Sequence, residues 1–233
     1  MRILVIIPAY NEATNILSVV ESLKTACPTY DYVVINDAST DETGKILKDN
    51  SINHINLPTN LGIGGAVQCG YKYAVANDYD VAIQMDGDGQ HLPQYYPDAV
   101  KLIENGEADI VIGSRFITKE GFQTSFARRV GIKFVSKLIR FVCGENIKDV
   151  TSGYRITNKK MTEIYARKYA QDYPEPEAIV VGNINGAKFK EIPVVMNERM
   201  SGKSSISPLK GVLYMVKVSL VIIFCKIVEK NSR

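Results

Sequence analysis

The sequence predicts an α/β fold, with a mostly parallel central sheet flanked by helices. Two observations carry this. Apolar runs of strand length alternate with stretches of helical periodicity through the first half of the chain, which is how parallel strands joined by helical crossovers read. The 233 residues are 45% hydrophobic and 23% charged, the balance of a globular domain able to bury a sizeable core.

Taken in order, Ile3–Ile7 is a first strand, too short for a signal-peptide core and ended by Pro8. Asn11 to Lys24 has helical spacing (Ile16, Val19, Val20, Leu23), with Asn11 a candidate cap. Tyr32–Ile35 is a second strand. Ser39 and Thr40 open a second helix ending near Asn50, and Ile52–Leu57 is a third strand. The glycine-rich turn Gly62–Gly65 leads into a helix through Ala76, and Val81–Met85 is a fourth strand. The second half is less regular: a strand at Ile110–Gly113, an amphipathic helix at Arg128–Val142, a strand at Lys188–Val195, and an apolar helix from Pro208 onward.

A net charge of +3 without dense Lys/Arg clustering argues against a nucleic-acid binder. Four scattered cysteines (Cys27, Cys69, Cys143, Cys225) form no C-x-x-C pair and have no histidine at ligand spacing, which argues against zinc and against a disulfide framework. Reduced thiols point to the cytoplasm.

Ligands of open α/β sheets bind beyond the carboxyl ends of the strands. Here the first strand ends in Pro8-Ala9-Tyr10-Asn11-Glu12, the second in Asn36-Asp37-Ala38-Ser39-Thr40-Asp41, the fourth in Asp86-Gly87-Asp88-Gly89-Gln90. Two carboxylates one residue apart, followed by a carboxamide, suit a hard cation such as Mg²⁺ or Mn²⁺, which takes oxygen ligands and shares them with phosphates. Asp and Gly are also ordinary turn formers. Gly62-Ile63-Gly64-Gly65 does not have dinucleotide-binding spacing and follows strand three, so a helix entry passing near a ligand is the better reading.

In order and spacing, V-I-I-P-A-Y-N-E, V-I-N-D-A-S-T-D, N-L-G-I-G-G-A and M-D-G-D-G-Q-H resemble the family 2 glycosyltransferases of GT-A fold. The match continues through Gly113-Ser114-Arg115, Asp149–Arg155 and Glu191-Ile192-Pro193, to about residue 205. Gln90, the Gly-Ser-Arg and the late Arg199-x-x-Gly202-Lys203-Ser204 are similar to the dolichol-phosphate mannose synthase and bacterial polyprenyl-phosphate branch. The resemblance implies a metal-dependent, inverting enzyme with a nucleotide-diphosphate sugar donor. It implies donor contacts from Pro8, Ala9, Tyr10, Glu12, Asp37, Gly62 and Asp86. Asp86, Asp88 and Gln90 are its metal site, and Arg115, Arg128 and Arg129 meet acceptor or donor phosphate. Arg199 and Lys203 lie where a loop closes on the donor. Asn36 departs from the pattern, which usually has Asp there.

Tyr173-Pro174-Glu175-Pro176-Glu177 aligns with the family's catalytic acids. The resemblance makes Glu175 a general base and Glu177 a second acid, while a Pro-Glu turn opening a helix is the plainer alternative. A base favours a hydroxyl on a lipid-linked sugar or glycan as acceptor, and the arginines favour polyprenyl phosphate. The hydroxyl is the preferred expectation. A sugar nucleotidyltransferase and an inactive scaffold are further alternatives.

The expected division is a domain over 1–205 and a helix over 206–233. Val212 to Val228 is at the short limit for a membrane span, and Lys217 and Lys226 interrupt it. Docking on a membrane surface, a membrane partner protein or a homo-oligomer contact is expected over a span or a helix buried on the domain's own sheet. The whole reads as a peripheral protein on the cytoplasmic face of the cell membrane.

Overall fold

The computed structural model describes residues 1–118, 120, 126–197 and 208–231. Seven strands form one sheet: β1 (Ile3–Ala9), β2 (Asp31–Asn36), β3 (His54–Asn56), β4 (Val81–Gln84), β5 (Ile110–Ser114), β6 (Arg155–Asn158) and β7 (Phe189–Pro193). Their order is β3-β2-β1-β4-β6-β5-β7, and only β6 runs against the others. Among the described residues, the strands are joined by α1 (Ile16–Ala26), α2 (Thr43–Asp49), α3 (Gly62–Ala76), α4 (Tyr96–Glu104), α5 (Phe126–Cys143), α6 (Lys159–Arg167) and α7 (Pro174–Ile184), and α8 (Pro208–Asn231) follows β7.

The strands β1, β4 and β5 at the heart of the sheet are buried on both faces because they are apolar on both. In β1, Leu4 and Ile6 join a core with α3, α5, α6 and α7, while Val5 and Ile7 join a second core with α1 and α4. Each such side chain contributes roughly 1.5–3 kcal/mol on burial, so the sheet is the rigid base on which the strand-end loops stand.

Three elements escape the periodicity. Strand β6 has four residues, three of them polar, and is recognisable only by its antiparallel pairing with β4 and β5. Helix α6 is short and polar outside, started by Asn158, whose side chain accepts from the Met161 amide. Helix α4 begins at Tyr96 behind a 3₁₀ turn.

Two local readings are corrected. Asn11 does not cap α1, which begins five residues later. It has φ of 57°, and its side chain accepts from the amides of Thr40 and Asp41. Gly62–Gly65 are not a turn ahead of α3 but its first turn. The close approach there is to the chain itself: a Cβ on Gly64 would stand 2.1 Å from the Ala170 carbonyl oxygen.

Helix α8 packs on α5 and α7, placing Val218 and Ile222 in the shared core, and Lys226 Nζ donates to Asn183 Oδ1 at 2.5 Å. Burial on the chain's own body therefore accounts for one face of this helix. Its outer face leaves Leu220, Ile223, Phe224, Ile227 and Val228 exposed. Among the described residues no helix is long and apolar enough to cross a membrane.

Candidate active site

Parallel pairing brings the ends of β1, β2 and β4 to one edge, with Ala9 beside Asn36 and Ile6 beside Gln84. The first two loops are tied together. The Asn11 amide donates to Ser39 Oγ at 3.0 Å, the Glu12 amide to Thr43 Oγ1 at 2.9 Å, and the Ala13 amide to Asp41 Oδ2 at 3.2 Å. Burial alone would raise the Asp41 carboxyl, but hydrogen bonds from Thr43 and Ala13 hold it below the ordinary carboxylate range. Pro8 and Ala9 are buried beneath this loop, and Tyr10 stands 48% exposed above it.

Asp37 is buried, its amide donating to the Ala9 carbonyl and its Oδ1 accepting from the Leu61 amide at 2.7 Å. That contact places the start of α3, with Gly62, beside the β2 end. Asn36 is turned inward: Nδ2 donates to Asn56 Oδ1 at 2.8 Å and Oδ1 accepts from the Ser39 amide. The Asn36–Asn56 contact joins the ends of β2 and β3.

The β4 loop carries Asp86 and Asp88. The Asp86 amide donates to His91 Nδ1 at 3.0 Å, which leaves the ring proton on Nε2, 3.5 Å from Asp86 Oδ2. Asp88 is 4% exposed and its Oδ1 accepts from the Gln90 amide. Gln90 in turn pairs with Asn197, Nε2 to carbonyl oxygen at 3.3 Å, and His91 bridges to Met196. Arg199 and Lys203 lie outside the described residues.

Arg115 is spent on a carboxylate: Nε and Nη2 make a two-pronged pair with Asp149 at 2.7 and 2.8 Å. Among the predicted cations, Arg128 is exposed and Arg129 half-buried at the start of α5. Sequence reasoning misses Arg155. It is fully buried, with Nε donating to the Ser152 carbonyl at 3.0 Å and Nη1 without a hydrogen-bond partner. Its one signal is the last position of Asp149–Arg155, where a long charged side chain enters a strand.

Glu175 and Glu177 sit in the first turn of α7, with prolines at the helix start where a missing amide costs nothing. Burial raises the Glu175 carboxyl. Arg155 and Arg128 oppose that shift, and the charge of Asp86 adds to it. Burial, helped by Asp172, pushes Glu177 up to about 7. Asp86, Arg128 and Arg155 thus all act electrostatically on the Glu175 carboxyl. A surface depression of about 380 Å³ beside Met1, Asp80 and Lys159 lies at the opposite edge of the sheet.

The comparisons agree with this architecture. The chain is 30% identical over 219 residues to the undecaprenyl-phosphate mannosyltransferase of Micrococcus luteus, covering 89% of this chain and 88% of that one. It is 28% identical to the polyprenol monophosphomannose synthase of Mycolicibacterium smegmatis, covering 88% and 81%. Glucosyl-3-phosphoglycerate synthase from Mycobacterium tuberculosis, solved with Mn²⁺, UDP-glucose and phosphoglyceric acid, shares the fold with a TM-score of 0.73, over 97% of this chain and 79% of that one, at 18% identity. The model of glycosyl transferase family 2 matches residues 4–165, and the chain belongs to that family: it is a glycosyltransferase of GT-A fold.

Proposed function

We propose that the protein transfers a sugar from a nucleotide-diphosphate donor to a polyprenyl phosphate at a membrane surface. The observation that carries this is that Asp86, on the acidic strand end, and Arg128, at the start of α5, both act electrostatically on the Glu175 carboxyl, in a chain whose relatives act on polyprenyl phosphates. It reverses the preference for a hydroxyl acceptor. An ionised phosphate needs no general base, and the relatives' acceptors are of that kind.

In this reading Pro8, Ala9, Tyr10, Glu12, Asp37 and Gly62 seat the nucleotide. Among the described residues no three acidic, His or Cys side chains converge to hold a cation alone. Two carboxylates with Gln90 and the donor's own phosphates are a usual set for Mg²⁺ or Mn²⁺. When bound, the cation neutralises charge developing on the leaving diphosphate. Arg128 and Arg129 orient the acceptor phosphate, with Arg199 and Lys203 assigned to donor closure. Arg115, paired with Asp149, holds the loop in place beside the site. An acceptor phosphate oxygen bonds to the anomeric carbon from the face opposite the donor, and the bonding pair of the broken carbon–oxygen bond leaves with the nucleoside diphosphate.

The exposed apolar side chains of α8, with Val130, Phe134 and Phe141 on the neighbouring α5 and Lys133, Lys137 and Arg140 among them, form the membrane-facing surface. The test of the reaction is transfer of labelled sugar from UDP- or GDP-sugars to polyprenyl phosphate in mixed micelles with Mn²⁺. Absence of a polyprenyl-phosphate sugar product across both donor series would refute the proposal.

A further inference from the structure

Beneath the D-x-D loop, a side chain outside the donor and acceptor contacts touches the Asp86 carboxylate. Gln84 ends β4 and is 1% exposed. Its Nε2 donates to Asp86 Oδ1 at 3.3 Å, and its Oε1 accepts from Tyr169 Oη at 3.4 Å. The direction of this chain is fixed by chemistry: a carboxylate can only accept, so the amide nitrogen faces Asp86, the carbonyl is turned away, and the phenol must donate to it. Tyr169 keeps the proton it needs, because burial pushes its phenol well above the ordinary value.

Both ends of the chain are fixed. The Tyr169 ring packs edge-on against Tyr71 and Tyr165, with centroids 5.3 Å away in each case. On the other side a Cβ at Gly153 would stand 2.9 Å from Gln84 Nε2 and 3.1 Å from Asp86 Oδ2, so the bare backbone of that residue lets the two groups meet. Tyr169 also lies in the short connection from α6 to α7, which leads directly into the turn bearing Glu175.

We infer that Gln84 is a positioning residue for the cation site: relayed from Tyr169, its carboxamide fixes the orientation of the Asp86 carboxylate and ties it to the connection that carries Glu175. The inference rests on the assignment of Asp86 to the cation and donor diphosphate. Hydrogen bonds to ligating carboxylates hold them in the coordinating orientation, and removing such outer partners weakens metal affinity about 10- to 100-fold.

The experiment measures Mn²⁺ binding in the presence of GDP, and in parallel UDP, by the electron paramagnetic resonance signal of the free ion, for Gln84→Met, Tyr169→Phe, the double variant and Asp86→Asn. Melting without metal checks each fold. Gln84→Met keeps the volume and removes the donor, so Mn²⁺ affinity should fall at least about 10-fold. Tyr169→Phe leaves the fold's packing and should cost about threefold to fivefold. The double variant should be no weaker than Gln84→Met alone, because both substitutions break one chain. Wild-type Mn²⁺ affinity in Gln84→Met and Tyr169→Phe, with affinity lost in Asp86→Asn, overturns the role of Gln84 and leaves the cation site standing. Undiminished affinity in Asp86→Asn overturns both. If Gln84→Met melts too early to measure, Tyr169→Phe alone decides: unchanged affinity overturns the relay.

Discussion

Arg115 and Asp149 form a buried two-pronged ion pair, Nε to Oδ2 at 2.7 Å and Nη2 to Oδ1 at 2.8 Å, and Asp149 has no exposed surface. The Asp149 amide itself donates to Glu191 Oε1 at 3.0 Å, so the pair ties the end of β5 to the loop before β6 and to β7. Breaking one partner of such a pair leaves a buried charge uncompensated, at a cost of about 3 kcal/mol or more. Asp149→Asn is therefore expected to lower the melting temperature by about 10 °C. Calorimetry at neutral pH checks this, and an unchanged midpoint would show that Arg115 does not depend on Asp149.

Asp88 is the cleaner probe of the cation site, because an asparagine there can still accept from the Gln90 amide through Oδ1. Asp88→Asn should leave the metal-free melting temperature unchanged and abolish the stabilisation that Mn²⁺ provides with GDP or UDP. Turnover should fall by more than about 10²-fold, the loss expected when several kcal/mol of charge stabilisation disappear. Full turnover in Asp88→Asn would remove this residue from the site.

Glu177 offers a pH test. Its folded value of about 7 stands above the ordinary 4.5, so the folded chain keeps a proton that the unfolded chain releases between those values. Stability referable to this group is present below pH 4.5 and is lost as pH rises to about 7. Glu177→Gln stays neutral throughout. It should match the wild type at pH 4.5 and melt about 2 °C higher at pH 8, a small gain because the group is half-exposed. A difference that does not change with pH would contradict burial of the carboxyl as its cause.

The outer faces of α5 and α8 should bind anionic vesicles. Phe224→Asp and Ile227→Asp alter exposed positions and should leave the fold unaffected. Each should weaken co-sedimentation with phosphatidylglycerol vesicles about 10-fold or more, since one large apolar side chain contributes roughly 1.5–3 kcal/mol on leaving water. Unchanged binding would place the membrane contact elsewhere.

Much of the fold and site is legible from residue patterns, and the gaps have physical causes. The strands β1, β2 and β4 announce themselves as apolar runs, and the polar residues that follow them mark the rim. Strand β6 does not, because Thr157 finds its partner, the Ala82 carbonyl, only once β4 lies beside it, and its antiparallel pairing with β4 and β5 is not written in its own residues. The tie between Arg115 and Asp149 spans 34 residues, and that between Gln84 and Tyr169 spans 85, so no local spacing reveals either. Asn11 looks like a helix cap because its residue type suits one. In the fold its side chain instead serves the neighbouring loop.

The acceptor decides the account. An ionised phosphate gains nothing from a carboxylate base, whereas a hydroxyl loses about 10²–10⁴-fold in rate without one. Burial already disfavours the charged form of Glu175, so Gln is a close substitute for it. The direct measurement compares wild type and Glu175→Gln on polyprenyl phosphate and on a lipid-linked sugar that offers only hydroxyls. The account predicts product with the phosphate alone, and Glu175→Gln turnover within about threefold of wild type. Transfer to the hydroxyl acceptor, lost by at least about 10²-fold in Glu175→Gln, would contradict it.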